Sequence, residues 1–384
     1  MIKLIFLSHC FNSFSLTILM FIFFLFGYNS HATDLGLISS LTIVITQIFS
    51  SNKRNIVLST DNYKLLTYTV IFRSISGLSI FFITYFIILN LNLVSPLNIS
   101  FILLCILFWI NEMFLTYYEI KKNKFLITVN FSFFTLFFII IILMLYFGNF
   151  NEIYILLYCC LIFGIVSLFV ISLKLNKTLS IFKYSKNVLN SFKLNIYDYS
   201  FLSSFSFLLS VFIWRYFIVK SFDKGDAIIY FISFAIASFP ATLINNYLGV
   251  TLIKQKKNSF RNFTFYLFFY FTFSYLFIYA HKYIILAHES TIYFDLMFEI
   301  LTISFLGTII MIIGINSRLQ ILNHAKKNDY LFKSDFIYGI IIASIVPILH
   351  FSNYIEQMKY SYLISSVFTF VYFIIIKNNL KLNK

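Results

Sequence analysis

Long apolar stretches, separated by short polar breaks, recur along the whole chain. About twelve of them approach the length of roughly 20 residues that an α-helix needs to cross the hydrocarbon core of a bilayer. The pattern therefore predicts an all-α polytopic membrane protein, with the eleventh and twelfth spans the shortest. The predicted spans cover 5–27, 35–51, 65–90, 98–118, 125–147, 153–173, 198–219, 227–252, 263–280, 296–316, 336–351 and 361–376.

Composition agrees with the membrane as solvent. Hydrophobic residues make up 60% of the 384 positions, the mean hydropathy is +0.89, and only 11% of residues are charged. A soluble domain averages roughly 25% charged residues. The short polar breaks leave no room for a soluble catalytic domain.

Basic residues fix the orientation and explain the net charge of +15. Lysines and arginines gather in alternate loops, and such loops are cytoplasmic by the positive-inside rule. We therefore expect an inner-membrane protein with both termini cytoplasmic and no nucleic-acid partner. A cleaved signal peptide is the alternative for the first segment, because Lys3 precedes it and Ser30-His31-Ala32 resembles a cleavage site. Its apolar stretch is longer than a usual signal core.

A short motif recurs in two places and predicts two related halves. Ile110-Asn111 is followed by Lys121-Lys122-Asn123, and Ile315-Asn316 is followed at the same spacing by Lys326-Lys327-Asn328. Both copies end the fourth span of a set of six. We predict a six-helix bundle over 1–173, a cytoplasmic interfacial linker over 174–197, and a second six-helix bundle over 198–384. In transporters, parallel repeats place the substrate path between the two halves.

Four ionisable residues fall inside predicted spans: Arg73, Glu112, Arg215 and Glu299. Each costs about 2.5 to 3.5 kcal/mol to insert, so such residues are functional candidates by default. Arg73 and Glu112 both lie about 10 Å from the inner ends of adjacent helices, and we expect them to meet. The pair is either a switchable cation or proton site or a structural ion pair that pins two helices.

Arg215 and Glu299 lie near outer ends, where a charged side chain can reach the interface. The permanent charge and planar fork of Arg215 suit a phosphate group. Glu299 joins Glu112 as a candidate for cation coupling or ion pairing.

Other polar features inside or beside the spans have a functional and a structural interpretation. Pro240 predicts a kink in the eighth span, which is either a gating hinge or a packing feature. We expect Gln47 and Asn130 to form hydrogen bonds between helices rather than to bind a ligand. Asp34 and Asp226 open the second helix of each half, where a carboxylate stabilises a helix N-terminus.

Catalytic motifs are missing from the sequence. It contains no Walker, HExxH, CxxC or GxSxG element, and its four cysteines lack the spacing of a metal or redox site. We predict no cofactor, no metal and no enzymatic activity.

Two stretches of the sequence carry a family resemblance. The first comprises Phe26-Gly27-Tyr28, Asp34-Leu35-Gly36, Gln47-Ile48-Phe49 and Asn52-Lys53-Arg54-Asn55, and the second comprises Trp214-Arg215-Tyr216, Gly225-Asp226 and Ala237-Ser238-Phe239-Pro240. They resemble the opening hairpin and the start of the second half in the polysaccharide-transport branch of the multidrug/oligosaccharidyl-lipid/polysaccharide exporter superfamily, in particular the O-antigen flippases.

The resemblance implies two bundles around a V-shaped cavity and alternating access for an undecaprenyl-pyrophosphate-linked oligosaccharide. Arg215 and Arg73 are then expected to contact the anionic substrate, with Glu112 as a coupling carboxylate. Expected partners are the lipid-linked oligosaccharide, membrane lipids and other polysaccharide-assembly proteins. The alternatives are a drug or small-metabolite cation-coupled antiporter of the same superfamily and an O-antigen polymerase or ligase.

Overall fold

The computed structural model describes residues 2–50, 63–120, 124–147, 199–243, 291–322 and 328–379, with seven further positions between 270 and 279. These residues are almost entirely helical, and no strand occurs among them. The α-helices are α1 (Ile2–Leu25), α2 (Asn29–Ser50), α3 (Tyr63–Asn90), α4 (Pro96–Ile120), α5 (Lys124–Tyr146), α6 (Tyr199–Ser221), α7 (Lys224–Leu243), α8 (Thr291–Leu322), α9 (Asn328–Phe351) and α10 (Ser361–Asn379), with a 3₁₀ helix at Ile355–Tyr360 before α10.

Nine of the described helices are long and apolar enough to cross a membrane. The prediction of an all-α multi-pass membrane protein is therefore confirmed. The sixth predicted span, the 174–197 linker and most of the ninth span lie outside the described residues. The eleventh span is longer than predicted, because α9 begins at Asn328 instead of 336 and includes the charged residues Lys333 and Asp335.

Three helices end with the same backbone motif. Gly27, Asn92 and Asn353 each have a positive φ, of 81°, 56° and 59° respectively. After α1, the Gly27 amide donates to Phe24 O, and the Tyr28 amide donates to Phe23 O five residues back. This is the Schellman arrangement, in which a left-handed residue satisfies the last carbonyls of a helix. Glycine and asparagine at these positions therefore set the ends of α1, α3 and α9.

The chain divides into two compact units, with unit 1 ending at Phe212 and unit 2 beginning at Ile213, inside α6. In unit 1, α2 and α4 are the most deeply buried spans, and Phe23 of α1 packs on Phe101 of α4 at 5.9 Å between ring centroids. By contrast, α3 and α5 turn rows of exposed apolar side chains outward, including Leu78, Phe82 and Phe86 on α3. Such rows are the faces that lipid covers.

In unit 2, α8 and α10 approach closely along two glycines. A Cβ at Gly307 would lie 3.0 Å from Ser366 Oγ, and a Cβ at Gly314 would lie 2.9 Å from the backbone nitrogen of Phe370. Small residues at such positions let membrane helices pack backbone to backbone. α6 is fastened to α9 in the same unit, because Trp214 Nε1 donates to Ile342 O at 2.7 Å.

Candidate functional site

Arg73 and Glu112 meet across α3 and α4, as their depth in the membrane predicts. Arg73 Nη1 lies 2.9 Å from Glu112 Oε2 and also donates to Trp109 O. The guanidinium carbon lies 4.7 Å from the centroid of the Trp109 ring, so a cation–π contact adds to the pair. One carboxylate, one carbonyl and one aromatic ring together stabilise a positive charge away from water.

The two members of this pair differ in exposure. The Arg73 side chain is 2% exposed, whereas the Glu112 side chain is 33% exposed. The arginine is therefore fixed inside unit 1, while its carboxylate partner stays open on one side. An open carboxylate can accept a proton or a cation without separating the helices.

Asn111 connects α4 to α5. Its Oδ1 accepts from Asn130 Nδ2 of α5 at 2.9 Å. Adjacent helical positions project about 100° apart, which lets Glu112 bond to α3 and Asn111 to α5. The prediction that Asn130 links two helices is confirmed.

Arg215 lies on α6, within unit 2. Its guanidinium carbon lies 5.2 Å from the centroid of the Phe231 ring on α7, and its side chain is partly exposed. A guanidinium over an aromatic face gains a cation–π attraction that stabilises its charge. Lys220, near the end of the same helix, lies over the ring of Tyr216 and is exposed.

Glu299 forms an exposed ion pair. Its Oε1 lies 2.6 Å from Lys359 Nζ of the 3₁₀ helix, with 47% of the glutamate and 25% of the lysine side chain exposed. An ion pair of this exposure contributes little to stability. The structure thus places Glu299, on α8, in an ion pair with Lys359. It is not part of the Arg73–Glu112 pair.

A second arginine–carboxylate pair, absent from the candidates above, joins α8 to α9. Arg318 Nε lies 3.1 Å from each carboxylate oxygen of Asp335, and Nη2 also donates to Oδ2. The predicted spans ended at 316 and began again at 336, which put both residues in a loop. Helix α8 continues to Leu322 and α9 begins at Asn328, so both residues are helical and face each other.

Asp34 differs from its expected role at a helix start. It lies in the second turn of α2, is 9% exposed, and accepts from Asn98 Nδ2 of α4 at 3.4 Å. It is therefore a buried link between helices rather than a first-turn carboxylate. Asp226 does lie in the first turn of α7, and its amide donates to Asp223 Oδ1 at 2.7 Å.

Pro240 lies inside α7, as predicted, and is buried. Among the described residues, no group of three histidine, cysteine, aspartate or glutamate side chains is placed to hold a metal ion. Among the described residues, the pairs of Arg73 with Glu112 and of Arg318 with Asp335 each join two helices, and the first combines an arginine that is 2% exposed with a carboxylate that is 33% exposed.

Comparison with known proteins identifies no relative: no family model, no curated protein and no solved structure matches this chain.

Proposed function

We propose that the chain is a flippase that carries an undecaprenyl-pyrophosphate-linked oligosaccharide across the bacterial inner membrane by alternating access. The observation that carries the proposal is the Arg73–Glu112 pair, a buried arginine with an open carboxylate in the middle of a multi-pass helical unit. Such an arrangement is expensive in a bilayer, and proteins retain intramembrane charges mainly along substrate and ion pathways.

Packing inside each unit supports two related halves, which alternating access uses. In unit 1, α2 packs on α4 and α1 packs on α5. In unit 2, α7 packs on α8, and α6 contacts α9 through Trp214 and Phe217. Counted from the start of each predicted half, both units pair the second span with the fourth and the first with the fifth.

Arg215 is the proposed contact for the pyrophosphate. Its charge is permanent, its guanidinium carbon lies 5.2 Å from the centroid of the Phe231 ring, and the residue is partly exposed. Glu112 is the proposed coupling carboxylate, which exchanges a proton or cation during the cycle while Arg73 stays bonded to Trp109.

The test is display of surface glycan in a host that depends on this chain. Arg215→Ala should reduce display by about tenfold or more and Arg215→Lys by less, because a point charge keeps attraction to phosphate but loses the bidentate fork. Lys220→Ala is the matched control on the same helix and should display glycan normally. Normal display with both Arg215 variants, at equal protein levels, would refute the role of Arg215.

The open carboxylate of Glu112 also favours a second candidate, a cation-coupled antiporter of small metabolites. The two candidates separate by their cargo. An antiporter would exchange protons or sodium for a small solute in proteoliposomes that contain no lipid-linked oligosaccharide, and its loss would leave surface glycan unchanged.

A further inference from the structure

Four successive backbone carbonyls before Pro240 accept hydrogen bonds from side-chain hydroxyls. Two donors lie within α7: Ser238 Oγ bonds Ala235 O at 3.2 Å, and Thr242 Oγ1 bonds Ser238 O at 3.0 Å. The other two carbonyls receive donors from elsewhere in unit 2. Tyr270 OH bonds Ile236 O at 2.9 Å, and Thr308 Oγ1 of α8 bonds Ala237 O at 2.7 Å.

The proline explains why one of these carbonyls needs a donor from another helix. Pro240 has no N–H, so Ile236 O, four residues earlier, lacks its helical partner, and a proline ring inside a helix is expected to widen the turn before it. Lipid offers no water to replace the lost bond, so a carbonyl left unsatisfied there destabilises the helix. Tyr270 supplies the missing bond at the carbonyl that Pro240 leaves without one.

Tyr270 contacts the segment before Pro240 in two ways. Besides its hydroxyl bond to Ile236 O, its ring stacks on the ring of Phe239, the residue before the proline, at 5.4 Å between centroids. One side chain therefore contacts both the carbonyl that lacks its helical donor and the residue next to the proline.

Thr308 has two carbonyl acceptors, one on α7 and one on its own helix. Its hydroxyl lies 2.7 Å from Ala237 O and 3.0 Å from Ser304 O of its own helix, yet it carries one proton. If α7 moves away from α8, the proton still has an acceptor in Ser304 O. Separation at this point therefore leaves Thr308 satisfied, which lowers the free-energy cost of opening.

We propose that Tyr270 and Thr308 form a hydroxyl latch on a hinge at Pro240: Tyr270 replaces the amide donor that the proline removes, and Thr308 is the contact that releases when α7 bends. The proposal concerns how α7 moves and does not depend on which cargo the protein carries.

The first test is a double-mutant cycle on purified, detergent-solubilised protein. Tyr270→Phe should lower the midpoint of thermal unfolding by roughly 1–2 °C, the shift that about 1 kcal/mol produces at an unfolding entropy of about 2.1 cal/mol/K per residue over 384 residues. In the Pro240→Ala background the same substitution should have little effect, because the restored amide again bonds Ile236 O. Tyr275→Phe is the matched control, since its hydroxyl contacts the Thr302 side chain instead of an α7 carbonyl. An equal loss from Tyr270→Phe in both backgrounds would overturn the assignment of Tyr270 as a donor substitute.

The second test measures release at Thr308 by hydrogen exchange. Thr308→Val, which keeps the shape and removes the hydroxyl, should raise deuterium uptake in a peptide covering 236–243 severalfold, and Thr308→Ser should restore it. Unchanged uptake with the valine variant would show that Thr308 does not hold the hinge. If Tyr270→Phe does not fold, this second measurement still decides the proposal.

Discussion

Among the residues that the structure describes, each unit shows one arginine–carboxylate pair between helices, and the two pairs differ in which partner is buried. In unit 1 the arginine is buried and the carboxylate is open: Arg73 is 2% exposed and Glu112 is 33% exposed. In unit 2 the carboxylate is the more buried partner: Asp335 is 8% exposed and Arg318 is 19% exposed.

This difference in exposure suggests that one pair can exchange a proton or cation and that the other links two helices. The carboxylate of Asp335 is gripped by the nitrogens of one guanidinium, a bidentate geometry that leaves little capacity for another ligand. Glu112 offers Arg73 one oxygen at 2.9 Å and keeps part of its surface open. We therefore propose that the carboxylate of the unit 1 pair is the exchangeable one and that the unit 2 pair is structural.

The largest effect is expected from removing the carboxylate in unit 1. Glu112→Leu leaves Arg73 buried without its anionic partner, and breaking a buried pair in this way costs about 3–5 kcal/mol. Arg73→Leu should cost clearly less, because Glu112 can be neutralised or hydrated at its open side. The free energy of unfolding in mixed micelles measures both. Equal losses would mean that the exposure difference has no energetic meaning.

In unit 2 the order of severity should be reversed by a smaller margin. Arg318→Leu leaves the buried Asp335 without its cationic partner. Asp335→Leu leaves an arginine that is more exposed and whose long side chain can extend its charge toward water. We expect the arginine variant to be the less stable of the two by about 1 kcal/mol, given that buried groups lose more than exposed ones. A lower stability for Asp335→Leu, in the same micelle titration, would contradict the contrast between the units.

A third comparison tests the close packing that unit 2 uses between α8 and α10. Gly314→Ala places a methyl group against the Phe370 backbone, which cannot move aside without shifting α10, and should cost about 1–3 kcal/mol as overpacking does. Gly77→Ala in unit 1 is the matched control. Its Cβ would meet the side chain of Ile106 at 3.1 Å, and that side chain can rotate away. Equal thermal shifts for the two variants would show that the α8–α10 contact is loose.

Sequence reasoning worked where one local property decides the structure. Hydropathy predicted the spans because lipid requires helices of about 20 apolar residues. The depth of Arg73 and Glu112 in neighbouring spans also predicted their contact, because an isolated charge in a bilayer is energetically costly. The repeat motif places Asn111 on α4 and Asn316 on α8, and the duplication that it indicates stays a prediction.

It failed where polar residues extend a helix beyond its apolar core. Arg318 and Asp335 were missed because hydropathy windows end at charges, although each charge is neutralised by the other. The sequence suggested that Asp34 lies at a helix start. In the structure it is buried and accepts a hydrogen bond from Asn98, which is 64 residues away in the chain. The donors that satisfy the carbonyls before Pro240 are also distant in the chain, and no local pattern indicates Tyr270 or Thr308.

The most direct test of the flippase proposal is translocation of a labelled undecaprenyl-pyrophosphate-linked oligosaccharide in proteoliposomes, followed by the loss of label accessibility on one side. We predict that the wild-type protein moves the lipid, that Arg215→Ala slows it about tenfold or more through loss of charge-assisted bonds to phosphate, and that Glu112→Gln abolishes acceleration by an imposed proton or sodium gradient. Translocation no faster than in protein-free vesicles would contradict the account.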